Sequence, residues 1–388
     1  MTDFGVEMRQ LMAQASVSMR ELARRTRFDV GYLSRVANGR QDPSQALAEV
    51  LDKALGADGA LAALASGEPF EAAEVPGLTV EQFAGGRIGE PEVCRVERAL
   101  NGLTAMDDAQ GGDVLHGIAA GYLSHVQKLL NTTTYGEKVG CRLQIAAGRV
   151  AEQAGWLAFD AYQHDVARRY FHEALYMAQL ADDEQLRILT LASISMQSHH
   201  VGRLQESVAA AQAARELAER IGAPARLKSE LCIREAYGRA MMHDSGFQRM
   251  LHLALREFER SETPPATSWF AFYGDEAHLL TSKSACHGLY GDHHTAVQSW
   301  RQAMVAHDQA YVRNTALYNL AFSESLFQVG QTDEAYAVAS SGAELLCQQV
   351  MSTRARSKLR RFVDLVRPHR QKSTVARSFL NRYAKVAT

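Results

Sequence analysis

The feature that most constrains this chain is a recurrence of small residues about every forty positions through its C-terminal part. The segments 163–175 and 291–303 share one frame: a turn, an alanine, an aromatic four residues on and an alanine three further. These are Ala167, Phe171 and Ala174 in the first, and Ala296, Trp300 and Ala303 in the second. The frame returns after Gly202 with Ser207, Ala211 and Ala214, and after Gly330 with Ala335, Ala339 and Gly342. Weaker copies lie near 246–254 and 375–380. Aligned on the small anchor, Ala167, Ser207, Met250, Ala296, Ala335 and Ala376 stand 40, 43, 46, 39 and 41 residues apart. Antiparallel helices stacked in pairs must approach closely, which calls for small side chains at the crossing and one bulky side chain to fill the space beside it. Strands are not expected: no stretch alternates apolar and polar residues for long, and alanine, the best helix former, is abundant. The expectation is an all-α fold.

Residues Gly155, Ala158, Ala167, Phe171 and Ala174 sit where the tetratricopeptide repeat has its signature positions, and the region 114–388 resembles that repeat family. The period is longer than the usual 34 or so, so helix lengths vary along the array. The resemblance implies a tetratricopeptide-like α-solenoid whose concave groove, lined by the first helix of each pair, receives extended peptides or helices. Counting from the anchors places Arg149, Glu152, Gln153, Trp156, Asp160, His199, Glu235, Arg239, His278, Glu324 and Gln328 toward that face. Polar residues on a face that would otherwise be packed point to a ligand pocket. The alternative is a wet groove whose polar groups pair with one another.

The N-terminus carries a different pattern. Phe4, Met8, Leu11 and Met12 recur at helical spacing, giving a helix over roughly 3–15. Ser18, with Glu21 three residues on, forms a capping box opening a short helix to Thr26, in which Leu22 and Ala23 face inward. Asp29 caps a third helix from Val30, closed by Asn38-Gly39. Pro43-Ser44 opens a fourth, whose Leu47, Val50, Leu51 and Leu55 complete a small core. Glu21-Leu22-Ala23, Tyr32-Leu33-Ser34-Arg35, Asn38-Gly39-Arg40 and Pro43-Ser44 stand at the spacing of the Xre helix-turn-helix family, which the segment 17–40 resembles.

That resemblance implies a five-helix lambda-repressor-like domain over 1–65, with the helix from Val30 lying in the major groove, the groove whose donor and acceptor pattern distinguishes all four base pairs. Arg35 is then the candidate for bidentate contact with guanine, Val30 for a thymine methyl, and Gly31 allows close backbone approach, with Tyr32 on the same face. Arg20, Arg24, Asn38 and Arg40, with Ser34 and Arg27, fall nearer phosphates and fix register. Two positions depart from the family: Met19 stands where a DNA-contacting glutamine is usual, and Arg27 where a glycine usually ends the second helix.

Charge by segment says more than the total of −2. The stretch 18–40 has six arginines against two acids; 66–113 has three arginines against ten acids and reads as an acidic linker, with one short helix at 79–83, leading into the first helix of the array. The segment 353–388 carries eleven basic residues against Asp364. This basic end reads as a second DNA-contacting face, a docking surface for the acidic linker, or a solvated capping helix. Five widely spaced cysteines without a Cys-x-x-Cys pair read as small buried hydrophobes rather than disulfides or a zinc site. His199-His200 and His293-His294 are adjacent, so their side chains are expected to diverge rather than converge on a metal. No cofactor motif, nucleophile motif or phosphate loop is present, which gives no cofactor and a non-enzyme. With Asp3 and Glu7 where a leader would be basic and no long apolar run, the expectation is a cytoplasmic chain that makes no membrane contact.

An Xre-type domain joined to tetratricopeptide-like repeats resembles the peptide-responsive Rap, Rgg and PlcR-like regulators of Gram-positive bacteria. The resemblance implies a transcriptional regulator that binds a double-stranded DNA operator as a homodimer, since operator symmetry mirrors protein symmetry. A signalling peptide or small-molecule ligand in the repeat groove would control binding. The alternative is a ligand-independent regulator whose repeats bind a protein partner or only dimerise.

Overall fold

A computed structural model describes residues 3–14, 17–26, 28, 30–37, 43, 45–55, 61, 86–110, 112–261, 275–307, 312–348, 352–371 and 373–387. The chain is all-α and divides into two units, residues 1–82 and 83–388. Among the described residues the only extended pairing is an isolated bridge between Arg87 and Thr134. The first unit contains α1 (Asp3–Gln14), α2 (Met19–Thr26), α3 (Val30–Ala37) and α4 (Gln45–Leu55). Leu61 is helical and fully buried against them; the short helix expected at 79–83 lies outside the described residues.

The second unit is a solenoid-like array. It opens with α5 (Glu90–Gln110) and α6 (Gly112–Thr132), and continues in antiparallel pairs. These are α7 (Glu137–Asp160) with α8 (His164–Leu180), α9 (Glu184–His200) with α10 (Leu204–Arg220), and α11 (Ala225–Met241) with α12 (Gly246–Glu259). Then come α13 (Glu276–Tyr290) with α14 (His293–Ala306), α15 (Val312–Gln328) with α16 (Thr332–Gln348), and finally α17 (Thr353–Val366) and α18 (Thr374–Tyr383).

All six anchor residues fall in the second helix of successive pairs, and each is at most 2% exposed. The reason is visible at Gly155 of α7, where an added Cβ would stand 2.6 Å from the Phe171 ring of α8. Phe171 therefore occupies the space the missing side chain leaves. Trp300, at the corresponding place later in the array, packs against Tyr318 and Phe322 of the following helix. A second periodicity lies at the helix ends. The turns place Tyr162, Asp182, Gly202, Gly222, His243, Gly291 and Gly330 in the left-handed region, the conformation that stops a helix and satisfies its last carbonyls. Glycine fills four of these positions because it has no Cβ to clash.

The end of the array returns to its beginning. The Asp160 carboxylate, at the end of α7, is completely buried and faces Arg354 of α17 at 2.9 Å and Arg313 of α15 at 3.6 Å. It also accepts the Gly112 N–H that starts α6, at 3.1 Å. Burial pushes this carboxyl up, but the two guanidiniums outweigh it and hold the pKa below its ordinary value. Beside it, Asp113 accepts the Thr353 N–H and hydroxyl, each at 3.1 Å, and pairs with Arg356 at 3.4 Å. The basic C-terminal segment is thus partly spent inside its own unit, with Arg361 on Glu324 and Arg382 on Glu344. Arg356 reaches Asp113, the last residue of the acidic stretch.

Three packing expectations need correction. Val50 is 37% exposed, because Leu47, Leu51 and Leu55 already form the buried stripe of α4 and Val50 falls beside it. Cys94, Cys141 and Cys347 are exposed; only Cys232 and Cys286 are buried hydrophobes. The capping box is half formed: Ser18 Oγ accepts the Glu21 N–H, but the Glu21 carboxylate takes Arg24 and Arg25 instead.

Asp160→Asn keeps the shape and removes the charge that two buried guanidiniums face. It should cost about 3–5 kcal/mol of stability, read from chemical denaturation of the full chain. Gly155→Ala should cost about 1–3 kcal/mol through the clash with Phe171.

Candidate functional site

Sequence points to two sites, one in each unit. In the first unit, Leu22 and Ala23 of α2 and Leu33, Val36 and Ala37 of α3 are buried with Phe4, Met8, Met12, Leu47 and Leu51. Gly5 lets α1 lie against the end of α3: a Cβ there would meet the Ala37 carbonyl oxygen at 2.7 Å, and Arg9 donates to the same oxygen. One face of each short helix is thus committed to this core, and the opposite faces form the candidate site.

On those faces Arg24 and Val30 are exposed, while Tyr32 and Ser34 are half-buried. The Tyr32 ring lies 6.0 Å from Phe28. Arg24 grips Glu21 with two nitrogens, at 2.8 and 3.0 Å, and Arg25 adds a third bond at 2.9 Å. These hydrogen bonds, Arg24's first, lower the Glu21 pKa to about 2. Met19 is half-buried against the core. Arg20 belongs to α2, and Gly31 and Arg35 to α3. Arg27, Asp29, Asn38, Gly39 and Arg40 lie outside the described residues.

In the array, the first helices of the pairs bring a second group together. Arg354 stands over the rings of Trp156 and Phe159, with its centre 5.6 and 5.2 Å from their centroids. The His200 ring meets Phe159 edge-on at 4.9 Å and lies 4.3 Å from His199, which stacks on Tyr237 at 5.3 Å. From α11, Glu230 pairs with Arg234 at 2.9 Å and with His278 of α13 at 2.8 Å. Lys358 of α17 is half-buried, and its field is felt at both His199 and His200. Burial lowers the pKa of Lys358 itself.

The structure therefore gathers Trp156, Asp160, His199 and His278 from the sequence-predicted set. Others are placed elsewhere. Glu235 accepts from Arg215 at 2.5 Å and from Arg239 at 2.8 Å, and Arg239 also reaches Asp244. These pairs tie α10, α11 and the turn into α12. Glu152 accepts from Ser193 at 2.5 Å, Gln153 faces Thr104 of α5, and Glu324 holds Arg361. Arg149 is half-buried and Gln328 exposed.

Sequence reasoning missed Phe159, His200, Glu230, Arg234, Tyr237, Arg354 and Lys358. The signal that could have found them is their register: Glu230, Arg234 and Tyr237 form one stripe at i, i+4 and i+7. The two adjacent histidines do not diverge as expected. His200 folds back so that its Nδ1 lies 2.9 Å from the Met196 carbonyl oxygen, which lays its ring over His199. Among the described residues no group of three or more His, Cys, Asp or Glu could hold a metal ion.

Burial, reinforced by the charges of Arg234 and Lys358, lowers the His199 pKa to about 3. The unfolded chain, with an ordinary histidine near pH 6.5, therefore binds a proton first as pH falls, and stability drops with it. The expected contribution is up to about 1.4 kcal/mol per pH unit between roughly 6 and 4. Denaturation of His199→Gln should show a correspondingly shallower acid decline.

Comparison with known proteins bears on the first unit. Residues 3–65 match the family model described as a helix-turn-helix domain. A search of curated proteins finds no match to the chain. No helix among the described residues is long and apolar enough to cross a membrane. The N-terminal unit is a helix-turn-helix domain.

Proposed function

We propose that this chain is an Xre-type, sequence-specific transcriptional regulator that binds its DNA operator as a homodimer and carries no catalytic activity. The observation that carries the reading is the helix-turn-helix match over 3–65, joined to an α3 that buries Leu33, Val36 and Ala37 and exposes Val30. Arg35, Val30 and Gly31, with Tyr32, read base edges. Arg20, Arg24, Ser34, Asn38 and Arg40 take phosphates. In the free protein Glu21 holds Arg24, so a phosphate competes with a solvated carboxylate for that guanidinium.

The tetratricopeptide-like array is the sensor. Its inner face combines aromatic rings with the charged groups Arg234, Arg354, Lys358, Asp160 and Glu230. A signalling peptide or small molecule bound there changes operator affinity by favouring one arrangement of the array over another, to the extent that its affinities for the two differ. The likeness to the peptide-responsive regulators supports a cytoplasmic, bacterial protein.

Footprinting on the DNA flanking the chain's own gene should protect two half-sites about one helical turn apart, or a multiple of it. In gel shifts Arg35→Ala should weaken operator binding by about 10- to 100-fold, with discrimination lost at one base pair. Arg24→Ala should weaken all sequences alike and reduce the salt slope by about 1. Unchanged operator affinity in Arg35→Ala would refute the recognition-helix assignment.

A further inference from the structure

The first helices of the array turn side chains toward one another across the inner face, and the space among them is neither packed shut nor open. Trp156 of α7, Met196 of α9, Tyr237 of α11 and Tyr318 of α15 are only half-buried there. They belong to one wall: Arg354 stands over Trp156, Arg234 donates to the Met196 thioether at 3.1 Å, and Tyr237 stacks on His199. The charges of Arg354 and Glu230 are felt at Tyr318. His200 is exposed, yet the protein around it withdraws enough water to lower its pKa well below that of an ordinary histidine. Side chains that water touches but cannot surround are those of a narrow, wet hollow.

Lys358 is the cation that this hollow leaves over. Arg354 lies one turn before it on α17 and stands over Trp156 and Phe159, so the i, i+4 spacing aims Lys358 at the same interior. Its field is felt at His199 and His200. Among the described residues no hydrogen bond or ion pair reaches its ammonium group; Glu324, the acid whose charge it feels most, holds Arg361 at 3.2 Å instead. The other interior charges are matched. Asp160 takes Arg313 and Arg354, and Glu230 takes Arg234 and His278.

An ammonium group partly withdrawn from water with no counter-ion destabilises a fold, because burial disfavours the charged form. Burial does lower the Lys358 pKa. An apolar side chain would suit a wall of rings better, so a lysine at this position is explained by a negative charge brought from outside. The rest of the hollow says what carries that charge. The Tyr237 and Tyr318 hydroxyls interact with Ser282 and Thr281 of α13, and the Met196 sulfur already accepts from Arg234. What these side chains offer a ligand is therefore apolar and aromatic surface.

We propose that this hollow binds a small monocarboxylic acid with an apolar or aromatic body, its carboxylate paired with Lys358 and its body laid against the rings of Trp156, Tyr237 and Tyr318. One unmatched ammonium group fits one negative charge, and a charge-assisted pair in a partly dehydrated site is stronger than one in water. Lys358 is one turn from Arg354, whose guanidinium joins the last helices to Asp160, so the acid sits where the array returns to its start. The proposal rests on the inner face being the ligand site of the array and names the class of ligand; the link to DNA is read separately.

Calorimetry and thermal shift on the full chain test it with phenylacetate and octanoate, each beside its neutral amide, and with acetate as an acid that lacks the body. At least one of the two larger acids should bind saturably, about 10-fold or more tightly than its amide and than acetate. Lys358→Met removes the charge and keeps an apolar stem, so its melting temperature should hold or rise. In that variant acid binding should weaken about 10-fold or more while amide binding is unchanged. Lys358→Arg keeps the charge and should keep the preference for acid over amide. Absence of binding by both acids at millimolar concentration overturns the proposal, as does equal affinity for acid and amide, or undiminished acid binding in Lys358→Met. A short peptide ending in phenylalanine that binds as its free acid where both small acids fail also overturns it, the carboxylate then being a peptide's. A bound acid that leaves operator affinity unchanged supports this site and counts against the sensor role alone.

Discussion

The second unit depends on one buried carboxylate. A charge as deeply enclosed as Asp160 is tolerated only where compensating charges and hydrogen bonds reach it. Here they come from Gly112, Arg313 and Arg354, drawn from three separate parts of the chain. Repeat arrays ordinarily hold together through contacts between neighbours alone, so that each pair can open nearly independently of distant ones. Asp160 and Arg354 are in contact across nearly two hundred residues, and that contact joins the last helices to the first. Gly112 belongs to the same arrangement, because a Cβ there would stand 2.4 Å from the Leu157 carbonyl oxygen. The tie therefore requires a backbone approach as well as a charge.

Arg354 connects this tie to the inner face. One side of its guanidinium meets Asp160, and it also stands over Trp156 and Phe159. Phe159 touches His200, His200 lies on His199, and His199 stacks on Tyr237. The chain of rings runs from α7 through α9 to α11. A ligand can act on the array only through differential affinity for two of its arrangements, and a side chain that both closes the array and lines its interior is where such a difference can be felt.

Much of the fold was legible because close packing restricts residue size. Ala167, Phe171, Ser207, Ala296 and Trp300 declare themselves: a helix pair at short range has no room for alternatives. The inner face was less legible for a geometric reason. Successive residues on a helix point about 100° apart, so an error of one position turns a groove residue into an interhelical one. The anchors around α11 are 43 and 46 residues apart rather than forty. Counting across that irregularity selects Glu235 and Arg239, which pair with Arg215 and Asp244, while Glu230, Arg234 and Tyr237 of the same helix meet His278, His199 and one another. From 162 to 243 the helix-ending positions keep a beat of about twenty residues, but only Gly202 and Gly222 among those five are glycine. Tyr162, Asp182 and His243 conceal the rest.

The two units also differ in how far function can be separated from folding. Each eight-residue helix of the first unit gives one stripe to the core, Leu22 and Ala23 in α2 and Leu33 and Val36 in α3. Residues outside those stripes carry less of the core, so their types are set less by packing. In the array the same side chains serve both purposes. Asp160, Glu230 and Arg354 hold helices together and shape the interior at once, so their identity in sequence does not reveal which demand selected them.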